Sequence, residues 1–125
     1  MNVPVLAFPQ EVTLEVLPQL QRDADRLIGP TGTKLVVDLS DVMFMSSSAL
    51  GLLVKVGKGL RDRGGAIALA RPQPVIQRML IAVGLDSVLP VFPTVAEAAA
   101  SVERRSGGQP PPASPRPGPP TSPKA

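Results

Sequence analysis

Strand-like and helix-like segments alternate four times along this chain, and this alternation constrains the fold more than any other feature. Four short apolar runs have the length of strands and lie at residues 3–8, 34–39, 66–70 and 88–92. Each is followed by a segment with helical spacing of apolar residues, at residues 14–28, 46–64, 74–83 and 94–103. Parallel neighbours in a sheet need a crossover connection, which is usually a helix. We therefore predict an α/β domain with a mostly parallel sheet of four to five strands and about four helices.

The second apolar run, at residues 34–39, is predicted to be a strand in the middle of the sheet. From Leu35 to Leu39 it is apolar except for Asp38, as expected for a strand that is covered on both faces. The helix that follows is expected to bury one stripe, formed by Leu50, Leu53, Val54, Gly57 and Leu60. We expect this helix to end at the two glycines at positions 64 and 65.

Helix boundaries are also predicted by single residues in the second half of the chain. Pro74 suits the first turn of the third helix, and Gly84 suits a left-handed residue at its end. Thr94 and Glu97 have the spacing of a capping box, which predicts the start of the last helix.

The last 20 residues differ in composition from the rest of the chain. Eight of the 16 prolines lie between positions 110 and 123, and this segment has no large apolar residue. Such a segment cannot bury enough surface to offset the entropy of ordering it. We predict one domain at residues 1–105, followed by a disordered Pro-rich tail at residues 106–125.

The composition argues against most catalytic machinery. Cysteine and histidine are both absent, which excludes disulfides, metal sites built from these residues, thiol nucleophiles and a histidine base. Asp38 and Asp41 have no third carboxylate near them in the sequence, so we expect them to act in turns and caps. The sequence predicts a protein that is not an enzyme and has no cofactor and no metal site.

Nucleic acid and membrane are not expected partners. Without the basic residues of the tail, the chain has 11 basic and 10 acidic residues, and its only aromatic side chains are three phenylalanines. No run of about 18 apolar residues occurs, and the N-terminus lacks the pattern of a signal peptide. We expect a cytoplasmic protein without direct membrane insertion.

Three consecutive serines open the second predicted helix. One serine there has an ordinary structural explanation, because its hydroxyl can accept a hydrogen bond from an N–H group of the first turn. Capping requires only one serine, so three serines exceed this need. A phosphoryl group on one of them would meet free N–H groups and the positive end of the helix dipole. Capping and regulated phosphorylation are both consistent with the pattern.

The sequence DLSDVMFMSSSALGLL at residues 38–53 resembles the STAS domain of bacterial anti-sigma factor antagonists. In that family a motif Asp-Ser-Ser/Thr-Gly-Leu-Gly lies at this place. The resemblance puts Ser46 at the Asp, Ser47 at the phosphorylated serine, Ser48 at the second hydroxyl and Ala49 at the Gly. It continues in EVTLEVLPQL at residues 11–20 and in RPQPVIQRMLIAVGLDSVLPVF at residues 71–92, and it covers about residues 3–103.

The resemblance implies partner switching. The unmodified domain would bind an anti-sigma factor serine kinase, and phosphorylation would break that contact. It implies Ser47 as the phosphoacceptor, with Ser48 as second choice, and a serine phosphatase as a further partner. The predicted partner-binding residues are Ser46, Ser48, Ala49, Leu52, Lys55 and Val56.

Two points remain open at this stage. Leu52 and Val56 are four residues apart and either form an exposed apolar strip or pack against a neighbouring helix. The departures from the motif at Ser46 and Ala49 also fit a second function. In that alternative the chain is a constitutive STAS subunit that docks on the ATPase of a lipid-transport ABC complex.

Overall fold

The computed structural model describes residues 3–105, which form six strands and four α-helices. The strands are β1 (Val5–Ala7), β2 (Glu11–Val12), β3 (Lys34–Asp38), β4 (Phe44–Met45), β5 (Ala66–Ala70) and β6 (Val91–Phe92). The helices are α1 (Leu17–Ile28), α2 (Ser47–Asp62), α3 (Pro74–Ala82) and α4 (Val95–Arg105), with short 3-10 helices at Leu14–Val16 and Leu85–Ser87. The predicted Pro-rich tail lies outside the described residues.

Four strands form one sheet in the order β1-β3-β5-β6, and every neighbouring pair is parallel. Val36 of β3 pairs with Val5 on one side and with Ala68 on the other. The predicted α/β fold is therefore confirmed, including the parallel sheet and the position of residues 34–39 within it.

The two faces of the sheet carry different side chains, and β5 shows why. Its sequence AIALA points Ile67 and Leu69 into the larger core, which also contains buried residues of α1, α2 and α3. The three alanines point into a smaller core with Ala98 and Val102 of α4. Small side chains on that face let α4 approach the sheet closely, so α4 lies on one face and the other three helices on the opposite face.

Helix α2 buries a stripe that differs from the predicted one. Its buried residues are Ala49, Leu53, Gly57 and Leu60. Leu50 is half-buried against the core, and Val54 is 37% exposed. The prediction for Val54 was wrong because the helix follows the spacing 49, 53, 57, 60, which places residue 54 about 100° away from the centre of that stripe.

Glycine at position 57 allows α2 to lie close to β5. A Cβ atom at Gly57 would lie 3.0 Å from Ile67 Cγ2 and 3.0 Å from Leu89 Cδ2, whereas a Cβ atom at Gly59 would have no neighbour within 4 Å. We expect Gly59→Ala to raise the free energy of unfolding by about 0.5–1 kcal/mol, through helix propensity. Gly57→Ala should lose that gain because its methyl overpacks the core. Urea denaturation of both variants tests this, and equal gains would contradict it.

Two segments at the ends of helices depart from the prediction. Residues 88–90 are not part of a strand, because Val88 and Leu89 donate their N–H groups to the carbonyl of Leu85 in a tight turn. Residues 14–16 form a 3-10 turn before the α-helix, whose first turn contains Pro18.

The predicted capping box is confirmed, since the Glu97 N–H group donates to Thr94 Oγ1 over 3.0 Å.

A second, two-stranded parallel sheet was not predicted from the sequence. It pairs β2 with β4, so that Glu11 lies opposite Phe44 and Val12 lies opposite Met45. Two residues per strand give too short a pattern for recognition by alternation. Across residues 3–105, none of the helices is both long and apolar enough to cross a membrane.

Candidate functional site

The candidate site is the segment at residues 39–48, here called the serine loop, which leads from β3 into α2. The β2-β4 pair fixes the end of the loop that joins α2. Val12 and Met45 are buried, and the N–H group of Ser46 donates to the carbonyl of Val12 over 2.9 Å. The N–H groups of Met43 and Phe44 both donate to the carbonyl of Gln10. The start of α2 is therefore attached to a segment more than 30 residues earlier in the chain.

Ser46 is the N-cap of α2. Its backbone is extended, and its Oγ accepts a hydrogen bond from the N–H group of Ala49 over 3.2 Å. An extended cap residue whose side chain bonds to the third helical N–H group is the favoured arrangement at helix starts. Ser46 therefore caps α2 at the position where the resemblance places an aspartate.

Ser47 and Ser48 are exposed residues in the first turn of α2. Ser46 already provides the cap, so the hydroxyls of these two residues are not needed for it. The first turn of α2 contains no acidic side chain. A phosphoryl group on either hydroxyl would therefore meet the positive end of the helix dipole without a carboxylate in that turn.

Three of the predicted partner-binding residues are less accessible than expected. Ala49 is fully buried, so its methyl group packs in the core and is not available to a partner. Leu52 and Val56 are half-buried against the core, in a small apolar space that Leu20 and Ala24 of α1 also line. Of the two alternatives for Leu52 and Val56, the structure supports packing against the neighbouring helix.

Two apolar side chains beside the serines were missed by the sequence analysis. Met43 is 51% exposed and Phe44 is 49% exposed, whereas Val42 and Met45 on either side of them are buried. The turn at the start of the loop breaks the alternation of buried and exposed residues. Two exposed residues between two buried ones have neither the period of a strand nor that of a helix. Only the pairing of β4 with β2 shows which side chains point outward.

An ion pair and several hydrogen bonds lie where β3 ends and the serine loop begins. Arg71 Nη2 donates to Asp38 Oδ2 over 2.7 Å, and Arg71 Nε donates to Asp38 Oδ1 over 3.3 Å. The N–H group of Ser40 also donates to Asp38 Oδ1, over 3.0 Å. Arg71 Nη2 further contacts Ser40 Oγ at 3.1 Å, and Gln73 Nε2 donates to the Ser40 carbonyl over 2.8 Å.

These contacts shift the ionisation of both charged groups. The hydrogen bond from Arg71 lowers the pKa of Asp38 below its ordinary value, although partial burial opposes the shift. The same hydrogen bond raises the pKa of Arg71. The Asp38 carboxylate turns the chain at Ser40, as predicted, and the structure adds an arginine partner 33 residues away.

We expect the stability of the domain to fall at acid pH partly because of Asp38. A carboxyl group with a lowered pKa in the folded state stabilises it above its unfolded pKa of about 4. This contribution is lost as the pH falls through that value toward the lower folded pKa. Asp38→Asn should therefore flatten the decline of the free energy of unfolding below about pH 5, measured by urea denaturation.

The matched control for this pH dependence is Asp41→Asn. Asp41 is exposed on the same loop, and its replacement leaves the contacts of Asp38 with Arg71 in place. A decline with the wild-type slope in the Asp38 variant would show that this carboxyl group does not contribute.

Relatives of this chain are named as anti-sigma factor antagonists. A Thermotoga maritima protein named "Putative anti-sigma factor antagonist" is 31% identical over 81 residues, which are 65% of this chain and 72% of the relative. The anti-sigma F factor antagonist of Paenibacillus polymyxa is 29% identical over 69 residues, which are 55% of this chain and 59% of the relative.

Comparisons of structure and family agree with these relatives. An anti-sigma-factor antagonist (STAS) domain protein from Planctomyces limnophilus has a TM-score of 0.68 and 26% identity, with 79% of this chain and 89% of that chain covered. The STAS domain family matches residues 1–98, which is most of the chain. Together with the parallel sheet and the capped serine cluster at the start of α2, this match shows that the chain belongs to the STAS domain family.

Proposed function

We propose that this protein is an anti-sigma factor antagonist whose binding to an anti-sigma factor serine kinase is switched by phosphorylation of Ser47. The observation that carries the proposal is the division of roles at the start of α2. Ser46 caps the helix, while Ser47 is exposed beside it and has no part in the cap. Modification of Ser47 therefore leaves the fold intact, and Ser48 is the second choice for the same reason.

The proposed docking surface surrounds the serines. It consists of Ser46, Ser48 and Lys55, together with the two exposed apolar side chains Met43 and Phe44. The half-exposed sides of Leu52 and Val56 extend it along α2. Exposed apolar side chains next to a hydroxyl suit a tightly packed protein interface, since their burial favours association. Ala49 is left out of this surface because it is buried.

Phosphorylation would act on this surface by electrostatics and desolvation. A phosphoserine carries a charge of about −1.5 to −2 at neutral pH, and burying it against apolar groups is costly unless a basic residue of the partner pairs with it. The modified form would thus release the kinase, and a serine phosphatase would restore the binding form. The switch would operate in the cytoplasm, and domain 1–105 would be sufficient for it.

The experiment that tests this proposal is purification of the full-length tagged protein from its native cells. Partners and phosphosites are then read from one mass-spectrometric digest, with a tagged Ser47→Ala variant as the control for site assignment. A serine kinase as partner and phosphate on Ser47 would support the proposal. ABC-transporter subunits with unmodified serines would instead support the alternative function, a fixed subunit on a transporter ATPase.

A further inference from the structure

We propose that Arg71 is a positioning residue for the serine loop. Through its contacts with Asp38 and Ser40, Arg71 holds Ser47 in the orientation that a kinase requires. This inference rests on the proposed function for its purpose but not for its geometry. Arg71 follows β5 and lies outside α2. Its guanidinium group nevertheless reaches the last residue of β3 and the second residue of the loop, with distances of 2.7 Å to Asp38 Oδ2 and 3.1 Å to Ser40 Oγ.

The backbone of Arg71 is itself held in a fixed position. Its N–H group donates to the carbonyl of Phe92 at the end of β6 over 2.9 Å. Two residues later, Gln73 is the N-cap residue of α3 and donates from its side chain to the Ser40 carbonyl. The beginning of the serine loop is therefore attached to the ends of β5 and β6 and to the start of α3.

The loop is thus fixed at both ends by different parts of the chain. The contacts of Arg71 and Gln73 hold Ser40, and the β2-β4 pair holds Ser46. Between these points Val42 is fully buried, and its N–H group donates to the carbonyl of Leu39 over 3.1 Å. A shift of Ser40 is therefore passed along a short, packed segment and is not absorbed by free rotation of the loop. Loss of the Arg71 contacts should therefore reach the serines.

The local energetics favour positioning over simple stabilisation. Arg71 adopts a φ of 57°, the only positive value among the described residues other than glycine, and this conformation is unfavourable for a residue with a Cβ atom. Its ion pair is open to solvent on the arginine side, since the side chain is 49% exposed at Arg71 and 12% exposed at Asp38, and the contribution of such a pair to stability is modest. A strained backbone that holds a weakly stabilising group is typical of functional sites.

The test uses Arg71→Gly, because glycine removes the guanidinium group and relieves the strain at the same position. Relief of the strain should offset part of the loss of the ion pair with Asp38, so the overall free energy of unfolding should fall only modestly and the domain should stay folded. We expect amide hydrogen exchange in residues 39–48 to become at least about tenfold faster, as for a loop released from its contacts. Exchange in β3 and β5 should stay within about twofold of the wild-type rate.

Lys58→Ala is the matched control. It removes a different ion pair, between Lys58 Nζ and Asp62 Oδ2 at 3.1 Å, near the opposite end of α2. This variant should leave exchange in the serine loop unchanged. Arg71→Lys retains the charge but loses the two-pronged geometry, so its exchange rate should lie between those of the wild type and the glycine variant.

The second readout is phosphorylation by ATP and the serine kinase that co-purifies with the tagged protein. If the loop is correctly placed in only a fraction of the molecules, KM rises by the inverse of that fraction, whereas kcat changes less. We expect KM to rise about tenfold in Arg71→Gly, with kcat within about twofold of the wild type.

The outcomes separate this inference from the proposed function. Unchanged exchange in residues 39–48 would overturn the positioning role of Arg71. Faster exchange with unchanged phosphorylation kinetics would overturn its role in presenting Ser47. If no kinase modifies the wild-type protein, the proposed function fails, and the exchange data alone then decide whether Arg71 positions the loop.

Discussion

Replacement of Ser47 by aspartate is expected to weaken binding to the proposed partner, an anti-sigma factor serine kinase, by about 100-fold, a loss of about 2.7 kcal/mol. The variant places a carboxylate where the proposed interface buries a neutral hydroxyl, and an unpaired charge in a packed interface costs several kcal/mol. Ser47→Ala should bind as the wild type does but should not be phosphorylated. Isothermal titration calorimetry of each variant with the purified kinase measures both effects.

The structure allows a strict control for this experiment. An aspartate at the first residue of α2 is favourable for the helix dipole, so the Ser47→Asp variant should be folded and at least as stable as the wild type. Ser48→Asp places the same charge one residue further along and tests the second choice of acceptor. Equal affinity of the wild type and the Ser47→Asp variant would rule out the switch at this residue.

Leu53→Ala is expected to lower the free energy of unfolding by about 2–5 kcal/mol, the largest stability effect predicted here. Leu53 is 2% exposed at the centre of the buried stripe of α2 and belongs to the main core. Its truncation removes apolar contacts and leaves a cavity under the helix that begins with the serines. A loss of this size is a large fraction of the 5–15 kcal/mol typical of a domain. Urea denaturation monitored by circular dichroism gives the value.

Val54→Ala is the matched control in the same turn of α2. Val54 is 37% exposed, so its truncation should cost less than about 0.5 kcal/mol. Sequence periodicity assigned both residues to the buried stripe, and the structure separates them. Similar losses in the two variants would mean that α2 is rotated relative to the arrangement described above.

The fold was largely predictable because its helices and strands carry strong local patterns. The stretch from Leu35 to Val37 is apolar on both faces, which identified a strand inside the sheet. The capping pair Thr94 and Glu97 marked the start of the last helix correctly. Val88 was assigned to a strand by its composition alone, but its N–H group is used in a turn to Leu85, which apolar content cannot show.

The candidate site was less predictable because its geometry depends on contacts between distant segments. Ser46 could be recognised as a cap from the sequence, since capping involves residues three apart. The partner of Asp38 is Arg71, 33 residues later, and no local pattern relates the two. The exposure of Phe44 likewise depends on its pairing with Glu11 in a sheet of only two residues per strand.

The attachment of the serine loop to residues 10–12 has a consequence for folding. A contact between segments more than 30 residues apart requires closure of the loop between them, at an entropic cost. The pairing of β1 with β3 brings the two segments near each other, so the β2-β4 contact can follow it at low additional cost. The N-terminal geometry of α2 thus depends on a long-range contact of the folded chain. A kinase that recognises this geometry would distinguish native molecules from nascent or damaged ones.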